Sequence, residues 1–247
     1  MIRRGYYVGP VCRDIGDYGK LGLLRVLRRS GLSLGVNWYL VPNEHHNGDG
    51  RFIDYDDIKG CDEALWKDLS KVAKLDPDKR KVSLLEDMCI LDARYYSERL
   101  DFKNKSKLER EEVRKKWHEK AVKKLKGTDI VFVDPDNGML VSSADGTMKE
   151  NKYARPEEIA EYYDNGSSVV YYQHKARRSD DFYRDQHIRL AESIGIDRDC
   201  CLGMKFIRTS LRYYFFLIQP EYKDMIDAVI VEMMAAGWDK CFKACKF

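Results

Sequence analysis

The sequence predicts an α/β protein in which a mostly parallel sheet is covered by helices on both faces. Short apolar runs of strand length alternate with longer amphipathic segments, which is the order that parallel strands and their crossover helices produce. Hydrophobic residues make up 44% of the 247 residues, enough for a large core. Because no Pro-, Gly- or Ser-rich linker divides the chain, residues 1–247 are expected to form a single domain.

The first half of the chain predicts three helices and two strands. Leucines and a valine recur at helical spacing in Gly16–Gly31, and a glycine closes this segment. Leu34–Asn43 predicts a buried strand that ends in a loop, and Arg80–Glu86 predicts a second strand. Cys61–Ala73 and Ser106–Leu125 predict amphipathic helices, the second being a long surface helix with dense charge on its outer face.

The second half continues the alternation of strands and helices. The segment DIVFVD, Asp129–Asp134, is apolar on both faces and therefore predicts a central strand. The remaining segments predict a helix over Arg155–Gly166, a strand over Ser167–His174, a helix after the capping Ser179, a strand over Arg212–Tyr222 and a helix over Tyr222–Trp238.

Composition restricts the class of protein. The formal net charge is only +3, from 44 basic and 41 acidic residues, so charge alone does not identify a polyanion-binding protein. Seven cysteines without a CxxC pair argue against a zinc site or a disulfide framework and favour reduced thiols in the cytoplasm. The N-terminus lacks the apolar region of a signal peptide, and no apolar run is long enough for a membrane span. We therefore expect a cytoplasmic protein without a membrane partner.

The central strand stops on an unusual polar turn, Asp134-Pro135-Asp136-Asn137-Gly138. The proline restricts the backbone here, and the glycine permits a rare turn or the close approach of a ligand. Ligands gather at the carboxyl ends of strands in such sheets. Asp134, Asp136 and Asn137 are therefore candidate catalytic residues, since their oxygens suit a cation, an amino group or a proton. The alternative is a turn in which these side chains bond only the local backbone.

Gln173 and His174 end the next predicted strand and are the other candidate catalytic residues. Both are expected at the same edge of the sheet as Asp134. Because side chains alternate along a strand, the two face opposite ways unless the strand has already ended.

Aromatic and basic residues surround this second strand end, in the sequence YYQHKARR. Tyrosine rings offer a surface on which a base stacks, and cations suit a nucleic acid or another phosphate-bearing ligand. A basic loop above core tyrosines is the alternative interpretation. The candidate substrate-binding residues are Tyr171, Tyr172, Lys175, Arg177 and Arg178.

Three further features carry weaker signals. The loop NEHHNGDG, Asn43–Gly50, contains two histidines, but adjacent histidines diverge and a metal site there is the less favoured interpretation. Gly16–Gly22 is glycine-rich before a helix, yet it matches neither the dinucleotide fingerprint nor a phosphate-binding P-loop. His118 and His187 lie in charged helices and are expected at the surface.

At these residues the chain resembles the class I, Rossmann-like methyltransferases, especially the bacterial family that methylates N6 of adenine in 23S ribosomal RNA. The helix GDYGKLGLLRVL precedes the first strand, which ends in the loop NEHHNGDG, and a later strand ends in the Asp-Pro of VFVDPDNG. The C-terminal TSLRYYFFLIQPEYKDMIDAVIVEMM is similar to that family's last strand, Pro-containing loop and helix. The resemblance, which covers most of the chain in outline, implies a three-layer Rossmann-like fold with an antiparallel C-terminal strand.

The resemblance also implies a function: methyl transfer from S-adenosylmethionine to a nucleic acid. The family's motif is Asp-Pro-Pro-aromatic, whose Asp accepts from the target amino group while the aromatic stacks on the extruded base. Asp134 and Pro135 match this motif, whereas Asp136 and Asn137 stand where the family has proline and an aromatic. The residues implied to contact the cofactor are Gly16, Asn43, Glu86 and Asp134.

Two alternatives remain open. In a Mg²⁺-dependent nuclease, Asp134 and Asp136 would hold the metal while Gln173 and Lys175 complete a "PD…(D/E/Q)xK" pattern. The helix predicted at PEEIAEYYDNG argues against the hairpin that joins those motifs in nucleases. In the other alternative, the chain is a non-catalytic binding protein with a degenerate Rossmann-like domain, because the usual glycine-rich cofactor loop is poorly matched.

Overall fold

A seven-stranded sheet forms the centre of the structure, and a separate two-stranded ladder lies beside it. The computed structural model describes residues 15–42, 56–76, 80–208 and 210–245. In chain order the strands are β1 (Leu34–Asn37), β2 (Arg94–Tyr96), β3 (Ile130–Val133), β4 (Gly138–Met139), β5 (Tyr153–Ala154), β6 (Ser168–His174), β7 (Cys201–Arg208), β8 (Ser210–Leu217) and β9 (Phe242–Ala244).

The order of strands in the large sheet is β2-β1-β3-β6-β8-β7-β9. The first four are mutually parallel, β8 lies antiparallel between β6 and β7, and β9 pairs antiparallel with β7. The mostly parallel sheet predicted from the sequence is therefore confirmed. Two strands near the C-terminus, β8 and β9, run against the rest, where one had been expected.

Seven α-helices surround the sheet in the described part of the chain. Helix α1 contacts both α2 and α7, which makes one group of helices, and α4 and α5 contact each other and make another. The helices are α1 (Ile15–Arg29), α2 (Glu63–Ala73), α3 (Val82–Asp87), α4 (Lys107–Leu125), α5 (Pro156–Asp164), α6 (Asp180–Ser193) and α7 (Lys223–Ala235).

The central position of β3 follows from its composition. All four residues of Ile130–Val133 are fully buried, and the strand pairs with β1 on one side and β6 on the other. Apolar side chains on both faces are what a strand covered by helices on both sides requires. The central strand predicted from DIVFVD is confirmed.

Helix ends are fixed by the capping residues that the sequence contains. Ser106 and Glu109 form a reciprocal capping box at the start of α4, and the Ser179 hydroxyl accepts from the Phe182 N–H at the start of α6. Pro156 occupies the first turn of α5, where its missing N–H costs nothing. These three predicted helices are confirmed.

The prediction of a strand over Arg80–Glu86 is wrong, because this segment contains helix α3. Val82 and Leu85, three residues apart, are its buried side chains, which is the spacing of one helical face. A short apolar run does not distinguish a strand from a single helical turn. Strand β2 lies after α3 instead, and both it and β7 were missed because their buried and exposed positions do not alternate regularly.

Strand β1 is shorter than the predicted Leu34–Asn43. The Asn37 side-chain oxygen accepts from the Tyr39 N–H, and Tyr39 adopts a positive φ of 46°. This local turn ends the strand, so Trp38 follows β1 at the carboxyl edge of the sheet.

The two helical histidines expected at the surface are buried. His187 is fully enclosed, where its Nδ1 bonds the Tyr171 hydroxyl at 2.9 Å, and His118 contacts Glu161 at 2.9 Å. Burial lowers the pKa of His187 to about 3, so this ring is a neutral core residue.

The six cysteines within the described ranges are free thiols. Across the same ranges, no helix combines the length and apolar character that crossing a bilayer requires.

Candidate active site at the carboxyl edge of the sheet

The two polar strand ends singled out in the sequence meet at one edge of the sheet. Because β3 and β6 are parallel, with Val133 opposite Tyr171, both strands deliver their following residues to the same side. The His174 N–H donates to the Asn137 carbonyl at 3.3 Å, which joins the two strand ends directly. The predicted neighbourhood of the two motifs is confirmed.

Gln173 holds the turn after β3 and has no free group for chemistry. Its Nε2 donates to the Asn137 and His174 carbonyls, each at 3.0 Å, and its Oε1 accepts from the Met139 N–H at 2.9 Å. Gly138 has a φ of +108°, and a Cβ on it would lie 2.3 Å from the Gln173 amide. The assignment of Gln173 as catalytic is therefore corrected: it is a positioning residue beneath the Asp-Pro turn.

Asp134 forms an ion pair with Lys20 of helix α1. Lys20 Nζ lies 2.7 Å from Asp134 Oδ2 and 3.6 Å from an Asp17 oxygen. The Asp134 and Lys20 side chains are only 11% and 15% exposed. The second Asp134 oxygen, Oδ1, accepts no hydrogen bond from the residues described, so its capacity to accept one is unused.

The environment shifts the pKa of both members of this pair. Burial raises the pKa of Asp134 to about 6, and the negative charges of Asp17 and Asp136 add to this effect while Lys20 opposes it. Burial acts to lower the pKa of Lys20, but Asp134 and Asp17 outweigh it and raise that pKa well above its ordinary range. The pair is therefore doubly ionised above about pH 6, and the aspartate is the member that titrates.

Two aromatic rings flank the Lys20 ammonium. Its nitrogen lies 5.8 Å from the ring centroid of Trp38 and 5.8 Å from that of Tyr172. Both rings are nearly buried, so this cation–π contact is shielded from water. Trp38 follows β1 and Tyr172 lies near the end of β6, so the rings border the site on either side of β3.

The face of the sheet beneath α1 adds a tyrosine and an arginine. Tyr214 and Arg212 of β8 lie directly opposite Tyr172 and His174 of β6. Tyr214 is fully buried, and its hydroxyl meets no hydrogen-bond partner among the residues described.

The Arg212 guanidinium packs onto the α1 backbone, where a Cβ at Gly16 would lie 2.5 Å from its central carbon, and it hydrogen-bonds the Tyr172 side chain. Its charge also acts on Tyr214. We call the following group of six residues the edge cluster: Asp17, Lys20, Asp134, Tyr172, Arg212 and Tyr214.

The other residues of the Asp-Pro turn lie further from this cluster. The Asp136 side chain is 42% exposed and its carboxylate lies 3.9 Å from Lys152 Nζ. The backbone of Asn137 bonds Lys152, Gln173 and His174, which fixes the turn. Asp134 is thus the buried acid of the motif, and Asp136 is its solvent-facing one.

Most of the candidate substrate-binding residues are engaged elsewhere. Tyr171 is fully buried with its hydroxyl on His187, so its assignment as a stacking surface is corrected. Tyr172 belongs to the edge cluster and turns its face to Lys20, not to solvent. Lys175 Nζ bonds the Asp180 carboxylate and the Arg178 carbonyl, so it is directed away from Asp134.

Alternation along β6 explains the remaining positions. Tyr172 and His174 share one face of the strand, and their side chains lie 3.5 Å apart, whereas Gln173 points to the other face. Beyond the strand, Arg177 is exposed, and the Arg178 guanidinium lies 5.3 Å from the Phe182 ring. Of the pair Gln173–His174, only His174 faces the edge cluster.

Glu86 reaches the site although it lies on a helix and not at a strand end. Its Oε1 accepts from Trp38 Nε1 at 2.9 Å and from the Ser97 hydroxyl at 2.6 Å. Because Trp38 follows β1 and Ser97 follows β2, the carboxylate lies at the carboxyl ends of both strands. Its Oε2 receives no hydrogen bond from the described residues. Asn43, the other proposed cofactor contact, lies outside the described residues, as does the histidine loop that follows it.

The residues of the nuclease alternative do not converge. Gln173 is committed to the backbone and Lys175 to Asp180, as described above. In the described ranges, His, Cys, Asp and Glu side chains form no group of three or more that could hold a metal ion. Helix α5 separates β3 from a parallel β6, which is not the hairpin that such a pattern requires.

Sequence reasoning missed four members of the edge cluster: Asp17, Lys20, Arg212 and Tyr214. A signal was present in α1, where Gly16, Gly19 and Gly22 recur every third residue and mark the face that packs closely on Arg212, Phe206 and Trp238. A lysine beside such a stripe is held against the sheet, and it requires an anionic partner there.

No family model matches this chain, and comparison with the curated proteins finds no significant match.

Proposed function

We propose that the protein is an S-adenosylmethionine-dependent methyltransferase that acts on an amino group of a nucleic acid. The observation that carries this proposal is the position of the Asp134-Pro135 turn. It follows the central strand of a mostly parallel sheet, and it presents a nearly buried carboxylate with one open oxygen at the edge where α/β proteins bind ligands. The two groups of helices and the antiparallel β8 support the three-layer Rossmann-like arrangement that the resemblance implies.

The residues at this edge fit the cofactor's chemistry. Glu86 Oε2 is an open acceptor for ribose hydroxyls at the ends of β1 and β2. Trp38 is buried beside this site, where its indole N–H bonds Glu86 and its ring contacts Lys20, the partner of Asp134. When bound, S-adenosylmethionine would supply a methyl group on a positively charged sulfur, which nearby carboxylates favour.

Asp134 orients the target amino group in this proposal. Its open Oδ1 accepts a hydrogen bond from the substrate N–H, while Lys20 holds Oδ2 and fixes the carboxylate. When the cofactor supplies the methyl group, the proton that the substrate nitrogen loses would pass to Asp134 or to water. Because the pKa of Asp134 is about 6, the carboxylate is ionised and able to accept at neutral pH.

Two measurements test the proposal. S-adenosylhomocysteine at a hundred times its dissociation constant should add roughly 2.7 kcal/mol of stability, seen as a rise in melting temperature. Transfer of labelled methyl groups to total RNA and DNA should be lost in Asp134→Asn and retained in Asp136→Asn, whose side chain is largely solvent-facing. The absence of a thermal shift at millimolar ligand, together with the absence of labelled nucleic acid, would refute the assignment.

A specific observation favours a second candidate, a non-catalytic binding protein. Asp134 already carries an internal partner, Lys20, and Trp38 and Tyr39 form the turn after β1 in place of a glycine-rich loop. This candidate predicts that ligand binding persists without methyl transfer, and that Asp134→Asn leaves nucleic-acid affinity within about twofold of wild type, since most such affinity comes from phosphate contacts.

A further inference from the structure

An open basic groove lies along the edge strand β2, apart from the edge cluster. It has a volume of about 390 Å³ and is lined by Arg94, Lys120, Lys123 and Lys124. Arg94 begins β2, and the three lysines belong to the last two turns of α4. The groove therefore combines cations from two elements that pack against each other.

The cations of this groove are only partly neutralised. Lys120 pairs with Glu98 at 2.8 Å, and Arg94 donates to the Lys126 carbonyl at 2.7 Å. Lys123 and Lys124 form no ion pair with any residue in the described ranges. The lysine side chains are exposed, so their charges face solvent.

The charge of α4 is distributed unevenly along the helix. Residues 107–114 carry equal numbers of basic and acidic side chains, whereas residues 115–126 carry six lysines against one glutamate, a net charge of +5. Lysines in the last turn of a helix interact favourably with the helix dipole. This interaction explains the lysines of one turn only, and it does not explain the cation of β2. A concentration of charge that continues onto a neighbouring strand indicates an anionic partner.

We propose that this groove binds the phosphate backbone of a nucleic acid. The partner is a polyanion because the residues that line the groove in the described part of the chain are all cationic and come from two different elements. Arg94 begins β2, and α4 ends a few residues before β3 begins, so the groove lies toward the amino edge of the sheet, whereas Asp134 lies at the carboxyl edge. The choice of nucleic acid over an acidic protein rests on the proposed function.

The test measures the salt dependence of nucleic-acid binding. Fluorescence anisotropy with a short labelled DNA duplex and a short single-stranded RNA gives log K against log salt concentration for the full chain. Lys123→Ala/Lys124→Ala should lower the magnitude of the slope for the duplex by roughly two, weakening binding to the same extent for every sequence. Glu98→Gln, which frees Lys120, should strengthen binding.

The matched control places the same charge change at the opposite edge of the sheet. Lys240→Ala/Lys243→Ala removes two exposed lysines at and beside β9, and should leave the slope unchanged. Circular dichroism and melting temperature confirm that both double variants fold.

The outcomes separate this proposal from the proposed function. If both double variants lower the slope equally, binding is non-specific and the groove proposal is overturned. Tighter, lysine-dependent binding of polyglutamate than of either oligonucleotide would also overturn it. Methyl transfer by the wild-type chain tests the site at Asp134, so an absence of methyl transfer does not affect the slope measurement. A slope in Lys123→Ala/Lys124→Ala equal to that of wild type would overturn the groove proposal without contradicting methyl transfer.

Discussion

Lys20 of α1 and Asp134, the residue after β3, are 114 residues apart in sequence and form a nearly buried ion pair at the carboxyl edge of the sheet. The contact joins α1 to the end of the central strand β3. Asp134 Oδ2 accepts from Lys20, whereas Oδ1 accepts no hydrogen bond from the described residues. Burying two charges costs several kcal/mol for each ion, which the attraction between them offsets only when their geometry is good. The pair is therefore a sensitive point of the structure, for stability as well as for any chemistry at Asp134.

The raised pKa of Asp134 predicts a characteristic pH dependence of stability. The folded state holds the proton more tightly than the unfolded chain, whose carboxyl has its ordinary pKa. This contribution to stability is fully present below about pH 4 and is lost as pH rises to about 6, by at most about 3 kcal/mol. The stability of wild type minus that of Asp134→Asn should fall across this window and stay constant above it.

Urea unfolding of both proteins at a series of pH values measures this difference, in which the titration of other carboxylates cancels. A difference that is flat between pH 4 and 7 would show that Asp134 titrates normally.

Removal of Lys20 should be costly. Lys20→Met leaves the Asp134 carboxylate buried without its cation, which typically costs 3–5 kcal/mol. Because Lys20 opposes the rise, its removal should also move the pKa of Asp134 above 6. The double variant Lys20→Met/Asp134→Leu should be more stable than the sum of the single changes predicts, since neither charge remains. Chemical denaturation of the four proteins gives the coupling energy, and additive effects would contradict a close ionic contact.

Much of the fold was predictable because its elements carry local signals. The apolar run of β3, the capping serines of α4 and α6, and the proline of α5 each fix an element by its own chemistry. The meeting of Asp134 with Gln173 and His174 also followed from the sequence, since parallel strands deliver their ends to one edge.

The remaining features depend on contacts between distant residues. Arg114, for example, lies on a helix that reads as a charged surface element, yet it is only 1% exposed and forms two bonds with Glu158. Lys20 and Arg212 gain their roles in the same way, by packing against segments more than a hundred residues away or against a glycine of another element. A local pattern can indicate that such a residue is buried, but it does not identify the distant partner.

The contact between Gly138 and Gln173 should not tolerate a methyl group. Gly138→Ala combines an unfavourable φ of +108° with a Cβ placed 2.3 Å from the Gln173 amide, so the turn after β3 must shift. Gly166→Ala is a matched control, because Gly166 has a φ of +90° and nothing within 4 Å of the added carbon.

We expect Gly166→Ala to cost roughly 1 kcal/mol of unfolding free energy and Gly138→Ala to cost about 1–3 kcal/mol more, as overpacked sites do. Denaturant titrations measure both values. Equal losses would mean that the turn moves freely and that Gln173 does not hold it.

Two buried tyrosines should respond in opposite directions to the loss of a hydroxyl. The Tyr214 hydroxyl is buried beside Lys20 and Asp134 without a hydrogen-bond partner in the described residues, whereas the Tyr171 hydroxyl bonds His187 at 2.9 Å. An unsatisfied buried hydroxyl costs about 1–3 kcal/mol. Tyr214→Phe should therefore raise the unfolding free energy of the ligand-free protein, and Tyr171→Phe should lower it by about 1 kcal/mol, the value of one hydrogen bond.

A ligand that forms a hydrogen bond with the Tyr214 hydroxyl would be bound more tightly because of that hydroxyl. The melting-temperature shift produced by S-adenosylhomocysteine should then be smaller in Tyr214→Phe than in wild type, and unchanged in Tyr171→Phe, whose ring lies on the other face of β6. Thermal unfolding of the three proteins with and without ligand measures both effects. A destabilised Tyr214→Phe with an unaltered ligand shift would show that the hydroxyl serves packing within the core and has no part in binding.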